Sequence, residues 1–210
     1  ADSPLRALRQ TDSADGALAL AYGRVGKLLV AAEFLGDAEP YLLNAQALAA
    51  SDMAWPYYLA HVARLRGRFD EAIAGFERSL ALRADYVPAL VWAGILHLDG
   101  GRTDLAIDRL DRAIALQPAS VAARVARGKA ALASSDYAAA RPHLEAALSA
   151  SPSEPRVLYP LALAYRGLGD DVRAAASLRK WELSTSPSDS LRGSHVPPDD
   201  PLMEEIGSAL

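Results

Sequence analysis

Small and apolar residues return along this chain every 34 positions. Gly67 aligns with Gly101 and Gly169, Ala72 with Ala106, Ala140 and Ala174, and Phe76 with Leu110, Leu144 and Leu178. Between these markers apolar residues recur at three- and four-residue steps, the period of one helix face. The pattern predicts pairs of helices joined by tight turns. Ala60, Gly94, Gly128 and Ala162 on the first helix of each pair, and Ala72, Ala106, Ala140 and Ala174 on the second, are small enough for close approach. Each pair leaves an apolar face open, so the array becomes stable only when neighbours cover it.

Residues 1–14 are mixed and polar and are expected to form a lead-in or one short turn. A diverged pair follows at 15–52, with Leu18, Tyr22, Val25, Leu29, Ala32 and Leu35 as the apolar face of its first helix. Gly36-Asp37 is expected to stop that helix, and Ala38 to begin the next, with Pro40 in its first turn where an N–H has no partner to lose. This pair reads as one residue out of register. Regular units are expected at 53–86, 87–119, 120–153 and 154–183, with Ser135 in the place of a turn glycine. Pro142 falls inside a helix and predicts a local bend. Residues 184–200 are rich in Ser, Pro and Asp and read as a linker. Asp200-Pro201 then spells an N-cap followed by proline at the first helical position. The short helix it opens, within 184–210, sets Leu202, Met203 and Ile206 on one side and needs somewhere to dock.

The period, the small residue at the eighth position of each unit, the alanine at the twentieth and the proline near the thirty-second resemble the tetratricopeptide repeat family. The resemblance covers 53–183, and 15–52 more weakly. Pro56, Leu90, Arg124 and Leu158 stand where the family usually has an aromatic residue. Trp181-Glu182 replace the usual Ala-Leu, which suggests that the array ends there. The resemblance implies an all-α, right-handed superhelical solenoid of about five antiparallel helix pairs, serving protein–protein interaction.

It also implies that the first helix of each pair lines a concave groove. Carried onto this chain, the groove positions are Tyr57, His61 and Arg64, then Val91, Ile95 and Leu98, then Val125, Lys129 and Leu132, and finally Arg156, Tyr159, Leu163 and Arg166. Two basic and aromatic ends flank an aliphatic middle, which suits a peptide with apolar anchors and a carboxylate, since Arg binds carboxylates bidentately. The same residues also suit a merely solvated concave surface. The occupant is expected to be another protein or the chain's own Leu202 to Leu210, and oligomeric state is open. A family variant that clamps carboxylates with Lys and Asn is not matched, because Tyr57 and His61 take those places.

Composition narrows the alternatives. The 210 residues carry a net charge of -4 and a pI near 5.6, so no global positive field attracts nucleic acid. Ala17 to Gly36 is the most apolar long stretch, yet Arg24, Lys27 and Glu33 interrupt it and argue against a membrane span. Cysteine is absent, which excludes disulfides, thiolate metal sites, thiol nucleophiles and covalent haem attachment through CxxCH. His61, His97, His143 and His195 lack the spacing of a helical zinc site. Ser177 to Lys180 spells SxxK without the companion motifs of serine acylases. The adjacent acids Asp170-Asp171, Asp199-Asp200 and Glu204-Glu205 suit helix starts better than paired catalysis. The expectation is a non-enzymatic chain without cofactor or metal. Trp55 to Leu59 and Asp200 to Met203 are also similar to bacterial repeat proteins found beside c-type cytochrome or β-propeller domains. A structural subunit of a larger exported assembly is therefore the alternative. The start at Ala1-Asp2-Ser3-Pro4 fits a processed, periplasmic or otherwise exported chain over a cytoplasmic one, although trimming would leave the same start.

Overall fold

The computed structural model describes residues 3–152, 154–184 and 198–207, with side chains described at 14–152, 154–184 and 198–206. These residues form eleven helices and no strand. They are α1 (Ser3–Ala31), α2 (Leu35–Leu48), α3 (Ala54–Leu65), α4 (Phe69–Leu82), α5 (Val87–Asp99), α6 (Thr103–Leu116), α7 (Val121–Ala133), α8 (Tyr137–Ala150), α9 (Pro155–Gly167), α10 (Asp171–Ser184) and α11 (Pro201–Gly207). The chain divides into two compact units, Ala1–Ala89 with Asp200–Leu210, and Leu90–Asp199. In the first, α2 packs on α1 and α3, α3 on α4, and α11 on α1; in the second, α6 to α10 pack in succession and α7 also meets α9.

The turns within pairs are built alike. In each, a residue with positive φ follows the first helix: Glu33, Gly67, Gly101, Ser135 and Gly169, with φ of 63°, 74°, 73°, 56° and 77°. Two backbone hydrogen bonds lock each one. At Gly67 its own N–H reaches the Arg64 carbonyl at 3.0 Å and the Arg68 N–H reaches Ala63 at 2.9 Å. This pair of bonds satisfies carbonyls that the helix end would leave exposed. The same pair recurs at Glu33, where Glu33 N–H reaches Val30 at 3.0 Å and Phe34 N–H reaches Leu29 at 2.9 Å.

Glu33 corrects the reading of the first pair, because it lies 34 residues before Gly67 and the pair is in register. The helix ends at Ala31, before Gly36-Asp37, and α2 already begins at Leu35. Pro40 is consequently the sixth residue of α2, equivalent to Pro142 in α8, and both helices continue past these exposed prolines. Nor is there a separate lead-in after residue 2, since α1 is helical from Ser3. Leu5, Arg6, Ala7, Leu8, Arg9 and Gln10 are good helix formers.

The buried face of α1 is also different from the one expected. Leu18 and Val25 are exposed, while Ala19, Gly23, Gly26 and Val30 are buried. Small residues are needed here: a Cβ on Gly23 would stand 2.2 Å from the Trp55 ring, and one on Gly26 would stand 2.8 Å from Leu42. The same small-into-large contact recurs within the second unit, where a Cβ on Gly128 would meet Leu144 at 2.6 Å. Also in that unit, Trp181 occupies the position equivalent to Ala113 and Ala147, which are fully buried, and its ring lies 5.3 Å from Tyr159.

The turn geometry makes a direct test. A non-glycine residue in left-handed conformation costs about 1–2 kcal/mol, partly offset by the flexibility that glycine brings to the unfolded chain. Ser135→Gly is expected to raise stability by about 1 kcal/mol. Gly67→Ala, whose added methyl meets nothing within 4 Å, is expected to lower it by a similar amount. Urea unfolding midpoints at constant m-value measure both, and a Gly67→Ala chain as stable as the parent would remove the backbone argument.

Candidate functional site

Helix α3 brings a polar and aromatic set to one face of the first unit. Tyr57 and His61 are one helical turn apart and Arg64 follows three residues later, so the three side chains stack along one side. The start of α3 is fixed from two directions. Asp52 Oδ1 accepts from the Ala54 N–H at 2.9 Å, and the Ser79 hydroxyl of α4 donates to the Met53 carbonyl at 3.1 Å. Rings then enclose Tyr57: His61 at 4.7 Å, Tyr86 at 5.1 Å and Phe76 at 5.4 Å between centroids, all near edge-to-face. Such geometry sets positive ring edges against negative faces.

Into this box projects one carboxylate. Asp200 is only 6% exposed, and the hydroxyls of Tyr57 and Tyr86 both donate to it, the first to Oδ2 and the second to Oδ1 at 3.1 Å. His61 Nε2 stands 3.7 Å from Oδ2. Oδ1 also accepts from the Met203 N–H at 3.3 Å, and the Asp200 carbonyl accepts from the Glu204 N–H at 2.9 Å. Asp200 thus caps α11 while it is held by α3 and the segment before α5.

The rest of α11 lies on the same unit. Ile206 is buried in a cluster with Val30, Leu42, Trp55, Tyr58 and Val62, against which Leu202 and Met203 pack. The Tyr58 hydroxyl lies 3.3 Å from both the Leu202 carbonyl and Glu205 Oε2. Lys27 of α1 forms an ion pair with Glu205. One face of this short helix is therefore apolar and its ends are polar.

The ionisation of the cluster follows from its burial. Desolvation pushes the Asp200 carboxyl above its ordinary 3.8, against hydrogen bonds from Tyr57, Met203 and Tyr86 that favour the charged form. Burial first, and then the charge of Asp200, raise the Tyr57 and Tyr86 hydroxyls, which keeps both protonated as donors. Burial and the neighbouring Arg64 hold His61 well below its ordinary 6.5, so its ring is neutral. Arg64 Nη2 lies 3.4 Å from His61 Nδ1. A guanidinium can only donate, so Nδ1 accepts and the ring proton sits on Nε2, facing Asp200.

Of the groove positions implied by the repeat pattern, Tyr57, His61 and Arg64 are brought together around Asp200. The other ten lie in the second unit. Val91, Ile95 and Val125 are fully buried and present no surface there. Leu98, Leu132 and Leu163 are half-buried. Lys129 is half-buried, and its ammonium is pushed down by burial and Arg156 against the pull of Asp99. Arg156 is held by Glu154, Tyr159 lies tilted against the Trp181 ring, and Arg166 is exposed. A cleft of about 250 Å³ in this unit includes Ser120, Glu154, Arg156 and Asp199 in its lining. Two of its polar side chains are engaged in capping: Ser120 Oγ accepts from Ala123 N–H and Glu154 Oε1 from Arg156 N–H.

The local sequence pattern does not mark Tyr58, Tyr86 and Lys27 as site residues. Their partners are Asp200 and the residues after it, over one hundred positions away, and no local spacing marks such a contact. Among the described residues no group of three His, Asp or Glu is placed to hold a metal ion, and no helix is long and apolar enough to cross a membrane.

Comparison with known proteins agrees with the helix-pair geometry. Two family models, each described as a tetratricopeptide repeat, match residues 63–132 and 125–190. No match is found among curated protein sequences. Among solved structures, MamA from Desulfovibrio magneticus RS-1, residue 41 to its end, superposes with a TM-score of 0.74 at 19% identity, covering 83% of this chain and 97% of that one. Pseudomonas aeruginosa PilF gives 0.72 at 19%, covering 82% and 79%. YrrB, described as a repeat protein with an unusual peptide-binding site, gives 0.68 at 20%, covering 78% and 84%. The two matched segments together span 63–190, more than half of the 210 residues, and with the recurring turns they place this chain in the tetratricopeptide repeat family.

Proposed function

We propose that this protein-interaction scaffold acts without catalysis by holding a peptide segment on the α3 face of its first unit, and that its own residues 200–206 occupy that face in the free protein. The scaffold role follows from the family. The narrower reading is supported chiefly by the buried carboxylate of Asp200 between the Tyr57 and Tyr86 hydroxyls. A carboxylate leaves water at a high cost unless its lone pairs are satisfied, so a buried one with several donors marks a specific seat. The peptide-binding site named for YrrB lends the fold a precedent for holding peptides.

The seat has a measurable strength. Each hydrogen bond to a charged group contributes about 1.5–3 kcal/mol. Tyr86→Phe removes one such bond and leaves the ring, so docking of α11 is expected to weaken by that amount, roughly ten- to one-hundredfold. Amide exchange at residues 202–206 is the readout. Unchanged protection in Tyr86→Phe and in Asp200→Ala would mean that the carboxylate does not hold the segment.

The cluster also gives a pH dependence with a defined sign. His61 protonates near 6.5 when unfolded and well below that when folded, so the unfolded state binds more protons between the two values. Its contribution to stability is complete above 6.5 and is lost as pH falls through the folded value, at up to about 1.4 kcal/mol per pH unit. Asp200 acts oppositely from 3.8 up to its raised folded value, where the folded state holds the extra proton. Stability is therefore expected to fall as pH is lowered from 7 toward 5, and His61→Asn to flatten the curve in that range. Urea unfolding across pH measures it, and an equally steep curve in His61→Asn would assign the dependence elsewhere.

A further inference from the structure

The first unit carries an unusually complete description of what it can recognise. Four features of residues 200–206 are read by separate groups. The Asp200 carboxylate is taken by the Tyr57 and Tyr86 hydroxyls, with the neutral ring of His61 beside it. Leu202 and Met203 pack on the core cluster, and Ile206 is buried in it. Glu205 meets Lys27 and Tyr58. The N-cap bond from Met203 N–H to Asp200 ties the carboxylate to the start of a helical turn, so the acid is recognised together with the helix that follows it.

We infer that the external partner of this face is a protein segment of the same chemistry: an aspartate that N-caps a short amphipathic helix, with apolar residues two, three and six positions later and an acid at the fifth. This rests on the proposed docking of the chain's own segment. Charge favours it, because Lys27 and Arg64 bring two cations to this face while the chain as a whole is acidic. Spacing favours it too: anchors three and four residues apart on a helix are the usual way an apolar groove reads an amphipathic segment. The tethered copy then acts as a competitor at high effective concentration, and an external segment gains access in proportion to the fraction of chains whose own copy has left.

The test uses the full chain and one labelled peptide, Pro-Asp-Asp-Pro-Leu-Met-Glu-Glu-Ile-Gly, the sequence of residues 198–207. Binding is measured to the parent chain, to Asp200→Ala, and to Ile206→Ala, which loosens the tethered helix without touching the carboxylate seat. Both variants are expected to bind the peptide at least tenfold tighter than the parent. A peptide with asparagine at the second aspartate is expected to bind them at least tenfold more weakly, and adding Tyr57→Phe with Tyr86→Phe should abolish the difference between the two peptides. Amide exchange at 202–206 on the same samples separates the two ideas. If exchange in both variants equals that of the parent, the tethered docking is wrong and this inference falls with it. If exchange accelerates and the aspartate and asparagine peptides bind equally, or neither binds, docking stands and the partner chemistry is overturned.

Discussion

A single left-handed residue every 34 positions is the constraint on which the rest of this protein depends. It reverses the chain after each first helix and, through its two backbone hydrogen bonds, absorbs the carbonyls that the helix end exposes. Because the interval is constant, each second helix starts at the same place in its unit, at Leu35, Phe69, Thr103, Tyr137 and Asp171. Large side chains then fall opposite small ones. Leu42 meets Gly26, and in the second unit Leu110 meets Gly94 and Leu144 meets Gly128. Shifting the turn by one residue would rotate the second helix by about 100° and bring side chain against side chain.

Two different balances hold the fold and the candidate site. The helix pairs are stabilised by apolar burial, which is non-directional and tolerant of exchanges that conserve volume. Asp200 is the opposite case. Its burial works against the charge, and this is visible in the raised carboxyl pKa despite hydrogen bonds that favour ionisation. A carboxylate in that position adds little net stability but penalises any arrangement in which its donors are missing. Apolar residues of α11 supply attraction, whereas Asp200 selects the register in which that attraction is used. This division of labour suits a recognition surface, where discrimination comes from polar groups that would otherwise be left unpaired.

The sequence displayed the array far more clearly than the site. Repetition amplifies weak signals, so Gly67, Gly101 and Gly169 sufficed to place the helix pairs. The first pair hides its register because Glu33, not a glycine, occupies its turn, and because Gly23 and Gly26, which an apolar periodicity ignores, make its closest contacts. The candidate site was half legible. Tyr57, His61 and Arg64 stand at positions the family directs inward, and Asp200-Pro201 spelled a helix start. Joining the two halves required knowing that the last helix lies on the first unit, and tertiary contact over such separation leaves no local trace.

One local departure did carry information. The residue entering the first helix of the regular units is Asp52, Tyr86, Ser120 and Glu154. Three of these accept a backbone N–H at their own helix start, from Ala54, Ala123 and Arg156. A tyrosine side chain is too long and rigid to cap its own helix in that way, and the Tyr86 hydroxyl is spent instead on Asp200. The positions matching Tyr57, His61 and Arg64 in the next unit are Val91, Ile95 and Leu98, whose side chains offer no hydrogen bond. A repeat keeps capping residues where the fold requires them, and where it abandons one next to a polar set that its neighbour lacks, a local cap has been exchanged for a long-range contact, here the hydrogen bond from Tyr86 to Asp200.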